Sequence, residues 1–546
     1  MSNPDYIVVG SGASGAIVAS RLASSESGRS ASVLLIEAGP TRDNIYSRIP
    51  AAFSKNLQNP ELMWQYQSEP TDALDGRSVY IPQGKLLGGS TSINGLVYNR
   101  GQAADFDYWE SLGNPGWGYR EVLPYFRRTE SRVATLTNDD DQADQQHSQH
   151  RGSHGPVHIS DPDRLDPICD AFIEAVSTYG PPAHNDYNGA DQRGTGYYQR
   201  FIQSGRRVTA AGAFLGGRKT NDNLQVMTGV HVARVLFEDN RATGIETVDR
   251  KKLYANREVI ISAGTVNSAT LLQRSGVGAP DLLSQFDIPL VHALPGVGEN
   301  FQDHYFVRVS ARLDDNAPSL NLLSRGPALL REIWRWYRKE PSILGYSPSI
   351  AYAFLNSADI NDATPDMQFV FTPGSYQAGK VYVLDKFPAA TCGFTQQRPR
   401  STGFVRISSR DPLAPPVVQP NYLQHDDDRD AVLRGIKLSR KFLRSPPLSE
   451  YFVNEEVPGD DCQSDDEMLD FAKRTGNTGY HLTGTCTMGP SSNPMAVVGP
   501  DLKVHGLNAL RVIDASIMPR VTSSNTCAAS MMIGEKGAEL VQADAV

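Results

Sequence analysis

The sequence predicts an α/β fold, on the basis of two short apolar runs, the helical pattern between them and a cluster of glycines where the first run ends. The first run, Tyr6–Val9, is typical of a parallel strand that is buried on both faces. A helical pattern follows at 16–23, and a second apolar run at 32–36 predicts the next strand. Strand, helix and strand in this order form the repeating unit of a parallel α/β sheet.

The glycines after the first strand predict a ligand for this unit. Gly10, Gly12 and Gly15 match the pattern G-x-G-x-x-G between a strand and a helix. The first permits a tight turn, the second leaves room for a pyrophosphate, and the third lets the helix pack against the strand. Glu37 follows 22 residues after Gly15, where a carboxylate accepts hydrogen bonds from an adenosine ribose. The pattern predicts a dinucleotide site and leaves NAD and FAD open. The candidate contacts in this unit are Gly10, Ser11, Gly12, Ala13, Ser14, Gly15, Glu37 and Ala38.

Composition excludes several classes of protein. The chain has 546 residues, 40% of them hydrophobic and 21% charged, which is ordinary for globular proteins. Its 52 basic and 61 acidic residues give a net charge of −9, so we expect no nucleic-acid partner. Five scattered cysteines without a CxxC pair predict no zinc site and favour a reducing, cytoplasmic location. No apolar run approaches a membrane span, and the strand pattern begins at Asp5, so we expect neither an integral span nor a signal peptide.

A second backbone-rich loop lies at 84–101. Its glycines permit close approach of a ligand, and its hydroxyl and amide side chains can form hydrogen bonds. An ordinary glycine- and serine-rich loop is the alternative. Together with the stretches 264–278, 294–304, 397–403 and 476–540, the segment 84–107 resembles the signatures of the glucose–methanol–choline (GMC) oxidoreductases. One departure is Ala269, which stands where the family usually has proline, and we expect it to perturb only a helix N-terminus.

The resemblance covers essentially the whole chain and implies an α/β protein with an α+β second domain. It implies a Rossmann-like FAD-binding domain at 1–155, 220–305 and 475–546. A discontinuous substrate-binding domain of antiparallel sheet plus helices is implied at 156–219 and 306–474. A histidine that binds FAD covalently in some relatives is replaced by Ile93, so we expect non-covalent FAD. Further FAD contacts implied by the resemblance are Gly88, Gly89, Ser90, Asn94, Gly95, Val97, Val232, Asp514, Ala515, Asn525 and Thr526.

The same resemblance singles out His481 and Asn525 as catalytic residues. Oxidation of an alcohol requires a group that takes the hydroxyl proton, and a histidine has a pKa near neutrality. An asparagine amide can donate a hydrogen bond to the oxygen without itself titrating. The alternatives are a structural histidine at 481, a helix N-cap at 525 and a simple strand-end turn at Asp514.

The resemblance therefore implies FAD-dependent oxidation of a small-molecule alcohol, a primary one in our expectation, to an aldehyde or ketone. Hydride would pass to flavin N5, and oxygen or another acceptor would take the electrons. The alternative within the family is a non-redox, flavin-bearing hydroxynitrile lyase. His481 argues against a light-driven fatty-acid decarboxylase, and the retained pair argues against a vestigial binding protein. The choline-oxidising and related branches share this His–Asn combination.

Several further features favour structural roles. The aspartates at 139–141 and His147, His150, His154 and His158 are interpreted as a solvated loop rather than a metal site. The stretch 332–339 mixes aromatic and basic residues and predicts a surface helix, with a membrane or partner surface as the alternative. Cys486 and Cys527 are interpreted as small apolar residues. Substrate-pocket residues are expected within 306–400, where the possible wall residues Tyr346, Tyr352 and Phe354 are more typical of core packing.

Overall fold

The amino-terminal strand–helix–strand unit folds as the sequence predicts. The computed structural model describes residues 3–24, 31–41, 45–133, 149–183, 186–216, 222–377 and 383–545. Strand β1, Tyr6–Val9, and strand β2, Val33–Glu37, are buried along their whole length. Helix α1, Gly15–Ala23, runs between them and begins one residue earlier than the apolar pattern. Apolar residues on both faces of β1 therefore mark a strand covered on both sides.

The helices of the described residues, labelled in chain order, are α1, α2 Ile45–Arg48, α3 Phe53–Leu57, α4 Ala103–Ser111, α5 Tyr119–Thr129, α6 Pro167–Ser177, α7 Gly264–Arg274, α8 Pro280–Ser284, α9 Leu320–Leu323, α10 Gly326–Tyr337, α11 Asp426–Leu443, α12 Asp465–Thr475 and α13 Cys527–Asp544. The strands of the two larger sheets are β1, β2, β3 Gly194–Tyr197, β4 Leu224–Thr228, β5 Glu258–Ile261, β6 Tyr305–Leu313, β7 Ala351–Leu355, β8 Met367–Thr372, β9 Ala389–Gln396, β10 Phe452–Val457, β11 Asn477–Thr478 and β12 Leu510–Val512. The remaining strands form small sheets at Met63–Gln67, Tyr80–Gly84, Glu130–Val133, Val157–Ser160, Ile202–Gln203, Arg206–Arg207, Val232–Glu238, Arg241–Thr247, Lys252–Tyr254, Val277–Gly278, His292–Ala293, Phe404–Arg406 and Val417–Gln419.

The first sheet is parallel and has the strand order β4-β2-β1-β5-β12. Its last strand comes from the carboxy-terminal part of the chain, so the sheet closes only when that segment returns. Helix α13 then packs against α1, where Ser14 Oγ donates to the carbonyl oxygen of Ser530 at 2.7 Å. A Cβ at Gly534 would lie 2.9 Å from Ser14 Cα, which shows how closely the two helices approach. Both chain ends thus support the glycine-rich loop.

The second sheet is antiparallel and has the order β10-β6-β9-β8-β7-β3, with β11 paired to one end of β6. Along β6, Val307, Val309 and Ala311 are buried in the apolar core beneath the sheet. The alternate residues of the strand face the opposite side. This alternation is typical of a sheet that covers a core with one face.

The predicted domain limits of the resemblance stay a prediction. The parallel sheet takes its strands from segments 6–9, 33–37, 224–228, 258–261 and 510–512, which all lie within the stretches assigned to the FAD-binding domain. The antiparallel sheet draws on 194–197 and on 305–457, with the short strand Asn477–Thr478 at its margin. That margin and the parallel pairing of 130–133 with 157–160 cross the predicted limits.

One expectation about helix α7 is wrong. Ala269 does not lie at the N-terminus of a helix, because α7 already begins at Gly264. Ala269 occupies the second turn and is fully buried. A helix interior favours alanine over proline, which lacks the N–H group and clashes with the preceding turn. The alanine is therefore the better helix former at this position.

Helix α10 lies on the surface, as predicted for the aromatic and basic stretch. Trp334 is 59% exposed and Tyr337 is 75% exposed, whereas Glu332 is buried and its carboxylate lies 3.0 Å from Arg164. Among the residues that the structure describes, no helix combines the length and apolar character needed to cross a membrane. The aspartates at 139–141 and His147 lie outside the described residues.

Candidate active site

A cavity of about 680 Å³ connects the amino-terminal glycine loop with His481 and Asn525. This volume is within the usual range of small-molecule sites. Most of the predicted contacts line it: Gly10, Ser11, Gly12, Ala13, Ser14, Glu37, Ala38, Gly89, Ser90, Asn94, Gly95, Val97, Val232, Asp514, Ala515, Asn525 and Thr526. Gly15 and Gly88 are absent from this lining.

The three glycines of the first loop have different surroundings. Gly10 has a φ of +101°, and a Cβ there would lie 2.2 Å from the carbonyl oxygen of Ser262. A Cβ at Gly15 would lie 2.0 Å from the carbonyl oxygen of Gly10, so this glycine allows α1 to pack against the loop. A Cβ at Gly12 would meet no atom within 4 Å. Gly12 therefore faces open cavity, at a helix N-terminus whose N–H groups favour an anion.

Glu37 is held in place by the loop itself. One carboxylate oxygen, Oε2, accepts hydrogen bonds from the Ser11 N–H at 3.1 Å and from Ser11 Oγ at 2.5 Å. The other, Oε1, accepts from the Gly39 N–H at 2.9 Å. Burial raises the pKa of Glu37, and these hydrogen bonds oppose the increase. The carboxylate lines the cavity beside the loop, and its contact with an adenosine ribose stays a prediction.

The second glycine-rich loop packs directly on the first. A Cβ at Gly89 would lie 2.9 Å from Gly12 Cα, and the Gly88 N–H donates to Ser11 Oγ at 3.1 Å. Asn94, farther along the loop, accepts a hydrogen bond at Oδ1 from the buried guanidinium of Arg207 at 2.7 Å. Sequence patterns did not single out Arg207, because nothing in its spacing places it next to Asn94.

The residues present fit FAD, the cofactor implied by the resemblance. Gly12 leaves the space that a pyrophosphate needs, and the second loop closes the same part of the cavity. Arg274 also lines the cavity, and its buried Nε has no hydrogen-bond partner among the described residues. A buried arginine with an unused N–H donor in the cavity wall suits an anionic dinucleotide. Asp514 accepts hydrogen bonds from Ser268, Ser516 and the Gly264 N–H, which hold its carboxylate in the wall.

His481 and Asn525 meet at the other end of the cavity. His481 Nε2 lies 2.9 Å from Asn525 Nδ2. The backbone N–H of His481 donates to Asp303 Oδ1 at 2.7 Å, and the same carboxylate accepts from the hydroxyls of Thr478 and Tyr422. Burial raises the pKa of Asp303 to about 6, although all these donors stabilise its charge. Asp303 therefore fixes the main chain that carries His481.

A chain of hydrogen bonds determines which nitrogen of His481 carries the proton. His304 Nε2 lies 2.9 Å from the Gln397 carbonyl oxygen, which only accepts, so this nitrogen is protonated. Burial lowers the pKa of His304 to about 4, so the ring is neutral and its Nδ1 is an acceptor. His304 Nδ1 lies 2.8 Å from His481 Nδ1, which must donate. His481 Nε2 is then the unprotonated nitrogen and accepts from the Asn525 amide.

The hydrogen bond that the Asn525 side chain forms with Gln368 agrees with this proton assignment. Asn525 Oδ1 accepts from Gln368 Nε2 at 3.2 Å, which leaves Nδ2 to face His481. Burial lowers the pKa of His481 well below its ordinary value, and neighbouring His304 contributes to the decrease. The site thus presents an uncharged imidazole nitrogen beside an amide donor, both facing the cavity.

Several interpretations of single residues are settled by position. Helix α13 has Thr526, not Asn525, at its N-cap, so the alternative of a capping asparagine is wrong. Tyr346, Tyr352 and Phe354 are buried in the core and do not line the cavity, which confirms core packing. The expected range 306–400 supplies much of the substrate side. Further lining comes from Val457, Arg474, Thr475, Asn477 and Tyr480.

Asp303, His304 and Gln368 were not predicted as site residues. The first two stand inside the stretch 294–304 that resembles the family, yet they lie far from His481 along the chain. The pairing of β6 with β11, which brings Tyr305 opposite Thr478, and the bridge between Gln302 and Thr483 place them beside His481. The sequence feature that could have identified these two residues is an aspartate followed directly by a histidine, just before the apolar residues of a strand.

Comparison with known proteins agrees with this geometry. The amino- and carboxy-terminal models described as GMC oxidoreductase match residues 4–306 and 399–534. An oxygen-dependent choline dehydrogenase from Photobacterium profundum is 35% identical over 98% of this chain and 92% of its own length. An alcohol dehydrogenase (acceptor) from Pseudomonas putida is 34% identical over 98% and 95%, respectively. The solved structure of pyridoxine 4-oxidase from Mesorbium loti is 30% identical, with a TM-score of 0.87 and 99% of each chain covered.

The expected fold has close structural relatives, and the expected family matches in both halves of the chain. The cavity provides a dinucleotide loop at one end and an imidazole–amide pair at the other. The chain therefore belongs to the GMC oxidoreductases, a family of FAD-dependent enzymes that act on CH–OH groups.

Proposed function

We propose that this enzyme oxidises an alcohol, a primary one in our expectation, to an aldehyde or ketone. His481 takes the hydroxyl proton, and Asn525 holds the oxygen. The observation that supports this most strongly is the unprotonated His481 Nε2, which lies 2.9 Å from the Asn525 amide nitrogen in the cavity that carries the dinucleotide loop. A hydroxyl placed beside both atoms can donate to the imidazole and accept from the amide.

The two residues have different roles: His481 accepts the hydroxyl proton, and Asn525 stabilises the negative charge that develops on the oxygen. Burial lowers the pKa of His481 and so keeps the ring uncharged at pH 7. Its Nε2 lone pair is therefore available to accept the hydroxyl proton. The Asn525 amide is fixed by Gln368, so its hydrogen-bond donor is already oriented as negative charge appears on the oxygen. Bound FAD supplies the acceptor for the hydride at N5.

We propose that different parts of the cavity wall contact different parts of FAD. The helix N-terminus behind Gly12 holds the pyrophosphate, Glu37 the ribose, and the segment around Val232 the adenine. Asp514 and Ala515 contact the pyrophosphate or ribityl chain. The attachment is non-covalent, since Ile93 lines the cavity with an unreactive side chain. Acid precipitation of the holoenzyme should release the flavin into the supernatant, and a yellow pellet would contradict non-covalent binding.

The test of the reaction is anaerobic bleaching of the flavin by a panel of primary alcohols, choline, sugars and aryl alcohols. At least one alcohol should bleach the wild-type flavin, and His481→Ala should slow bleaching by about 100-fold or more while the protein stays yellow. Unchanged bleaching by the variant would contradict the role of His481. Cyanohydrin cleavage without bleaching would instead identify the lyase alternative.

Three finer points accompany the proposal. The electron acceptor is oxygen or another oxidant, and peroxide formation in air distinguishes an oxidase from a dehydrogenase. The two interleaved domains have the limits given by the sequence motifs. The location is cytoplasmic, a proposal that rests on the small number of cysteines; all five are free thiols in the structure.

A further inference from the structure

Three neighbouring strands of the antiparallel sheet form the substrate side of the cavity. Their cavity-lining residues fall into rows across β6, β9 and β8. The first row is Phe306, Thr395 and Gln368. The second is Arg308, Gly393 and Val370. The third is Ser310, Thr391 and Thr372. The rows are ordered by their distance from the catalytic pair, because Gln368 of the first row bonds to Asn525.

Arg308 lies in the second row, one row farther from the catalytic pair than Gln368. Two residues along a strand correspond to roughly 6.5–7 Å, so its backbone is about that far from the row that contacts Asn525. The guanidinium lies 4.8 Å from the centroid of the Phe306 ring. That ring covers Gly393, where a Cβ would lie 2.3 Å from Phe306 Cζ. The absence of a side chain at Gly393 therefore gives the Phe306 ring its place beside Arg308.

The charges on this side of the cavity are positive. Arg308 is half-buried in the wall, and exposed Arg474 lines the same cavity. Among the described residues, neither guanidinium forms an ion pair with a carboxylate. In the part of the chain that the structure describes, the cavity-lining carboxylates are Glu37 and Asp514. Both belong to the dinucleotide part and are bonded to neighbouring serines and backbone N–H groups.

A half-buried, unpaired arginine has a strong preference for a ligand. Its planar fork binds a carboxylate through two parallel hydrogen bonds, and partial burial strengthens that attraction. A quaternary ammonium group would meet the same positive charge without a carboxylate to balance it. The chain is 35% identical to a choline dehydrogenase. Even so, the described residues on this side of the cavity include no carboxylate that would balance the ammonium charge of choline.

We propose that the substrate is an alcohol with a carboxylate at the end remote from the carbinol, and that Arg308 binds this carboxylate. The inference rests on the proposed function, since it assumes that the carbinol lies at His481 and Asn525. Arg474 attracts the same anion near the cavity entrance. Cationic alcohols of the choline type are poor substrates.

The test compares substrates that differ only in charge. Holoenzyme is mixed anaerobically with 6-hydroxyhexanoate and with its neutral amide, and with choline and its neutral analogue 3,3-dimethylbutan-1-ol. The ω-hydroxycarboxylates of three to eight carbons then locate the best chain length. The acid should bleach the flavin with a kcat/KM at least about tenfold above that of the amide, and choline should be at least about tenfold below its analogue.

Arg308→Met keeps an unbranched apolar stem at this position and removes the charged guanidinium. We expect the acid-to-amide ratio to fall to about one in this variant and to be partly retained in Arg308→Lys. Arg312→Met is the matched control. Arg312 lies on the same strand but is absent from the cavity lining, so both rates and their ratio should equal those of the wild type.

The outcomes separate this inference from the proposed function. Equal use of acid and amide, choline equal to its neutral analogue, or an unchanged ratio in Arg308→Met would each overturn the role of Arg308 while alcohol oxidation stands. If no alcohol of any charge bleaches the flavin, the proposed function fails. Titration with hexanoate, read by the flavin spectrum, then still tests Arg308, and equal affinity in wild type and Arg308→Met would overturn it.

Discussion

The imidazole rings of His304 and His481 meet through their Nδ1 atoms at 2.8 Å. Only one of two facing nitrogens can carry the proton that forms this hydrogen bond. The Gln397 carbonyl oxygen, 2.9 Å from the other nitrogen of His304, decides that the proton belongs to His481. The His481 nitrogen that faces Asn525 is therefore kept unprotonated by a backbone carbonyl on the far side of a second histidine.

His304 should thus act as a positioning residue. His304→Phe removes the acceptor for His481 Nδ1, so we expect anaerobic flavin reduction to slow by about 10- to 100-fold. The acid limb of the pH profile should move upward, since His304 helps to lower the pKa of His481. His304→Gln retains an acceptor oxygen and should recover part of the rate.

His505 offers the control for this experiment. Its ring Nε2 also lies near a main-chain carbonyl, that of Gly489 at 3.0 Å, but it is absent from the cavity lining. His505→Phe should leave the reduction rate and its pH profile unchanged. A His304→Phe enzyme with the wild-type pH profile would show that the second histidine has only a structural role.

The dependence of flavin reduction on pH follows from the lowered pKa of His481. Protonation removes the base, so activity is present above the pKa of His481 and is lost as the pH falls through it. Because burial and His304 lower this pKa, the midpoint of the acid limb should lie below 6.5, the ordinary value for histidine. Stopped-flow reduction between pH 5 and 9 measures it. A midpoint at or above 6.5 would show that His481 is not the buried neutral base.

Gly12 should be required for cofactor binding and dispensable for folding. A Cβ at this position meets no protein atom, so Gly12→Ala should fold with an unchanged melting temperature when FAD is removed. The added methyl group would occupy the space proposed for the pyrophosphate, and we expect FAD to bind at least about tenfold more weakly. Fluorescence titration of the apoprotein with FAD measures the effect.

Gly345→Ala is the comparison, because a Cβ there also meets no atom within 4 Å and Gly345 does not line the cavity. FAD affinity should be unaltered in this variant. Equal FAD affinity in both alanine variants would show that the pyrophosphate does not bind next to Gly12.

A buried ion cluster should stabilise the fold at neutral pH. The Glu130 carboxylate lies 2.6 Å from Arg100 and 2.8 Å from Arg151, and all three side chains are buried. Burial alone would raise the pKa of Glu130, but the two guanidinium groups outweigh it and lower the pKa to about 2. The stabilisation is therefore complete above the ordinary pKa of about 4.3 and is lost as the pH falls toward 2.

Glu130→Gln leaves the buried guanidinium of Arg100 without its carboxylate and leaves Arg151 with Asp186 alone, which costs about 3–5 kcal/mol of unfolding free energy. The melting temperature should fall at pH 7, and the difference from wild type should shrink between pH 4.5 and pH 2. Asp249→Asn is the control, since Asp249 and Lys251 form an exposed pair at 2.8 Å. A Glu130→Gln melting temperature as high as that of Asp249→Asn would contradict the stabilising role of the cluster.

Local patterns in the sequence carried much of the fold and part of the site. Strands β1 and β2, helix α1 and the glycine loop depend on neighbours along the chain, so spacing and periodicity identify them. The expectation for Ala269 failed because a helix boundary depends on the preceding turns and not on one substituted residue.

The sequence by itself determined the glycine loop and the family, and it singled out His481 and Asn525 as candidate catalytic residues, because contiguous motifs carry all of them. Only the tertiary structure decided the proton position on His481, since it depends on His304 and Gln397, which lie far from it along the chain. The positive wall around Arg308 was decided in the same way, by strand register across β6, β9 and β8. Hydrogen bonds and charges act through space, and the sheet sets which distant residues they join.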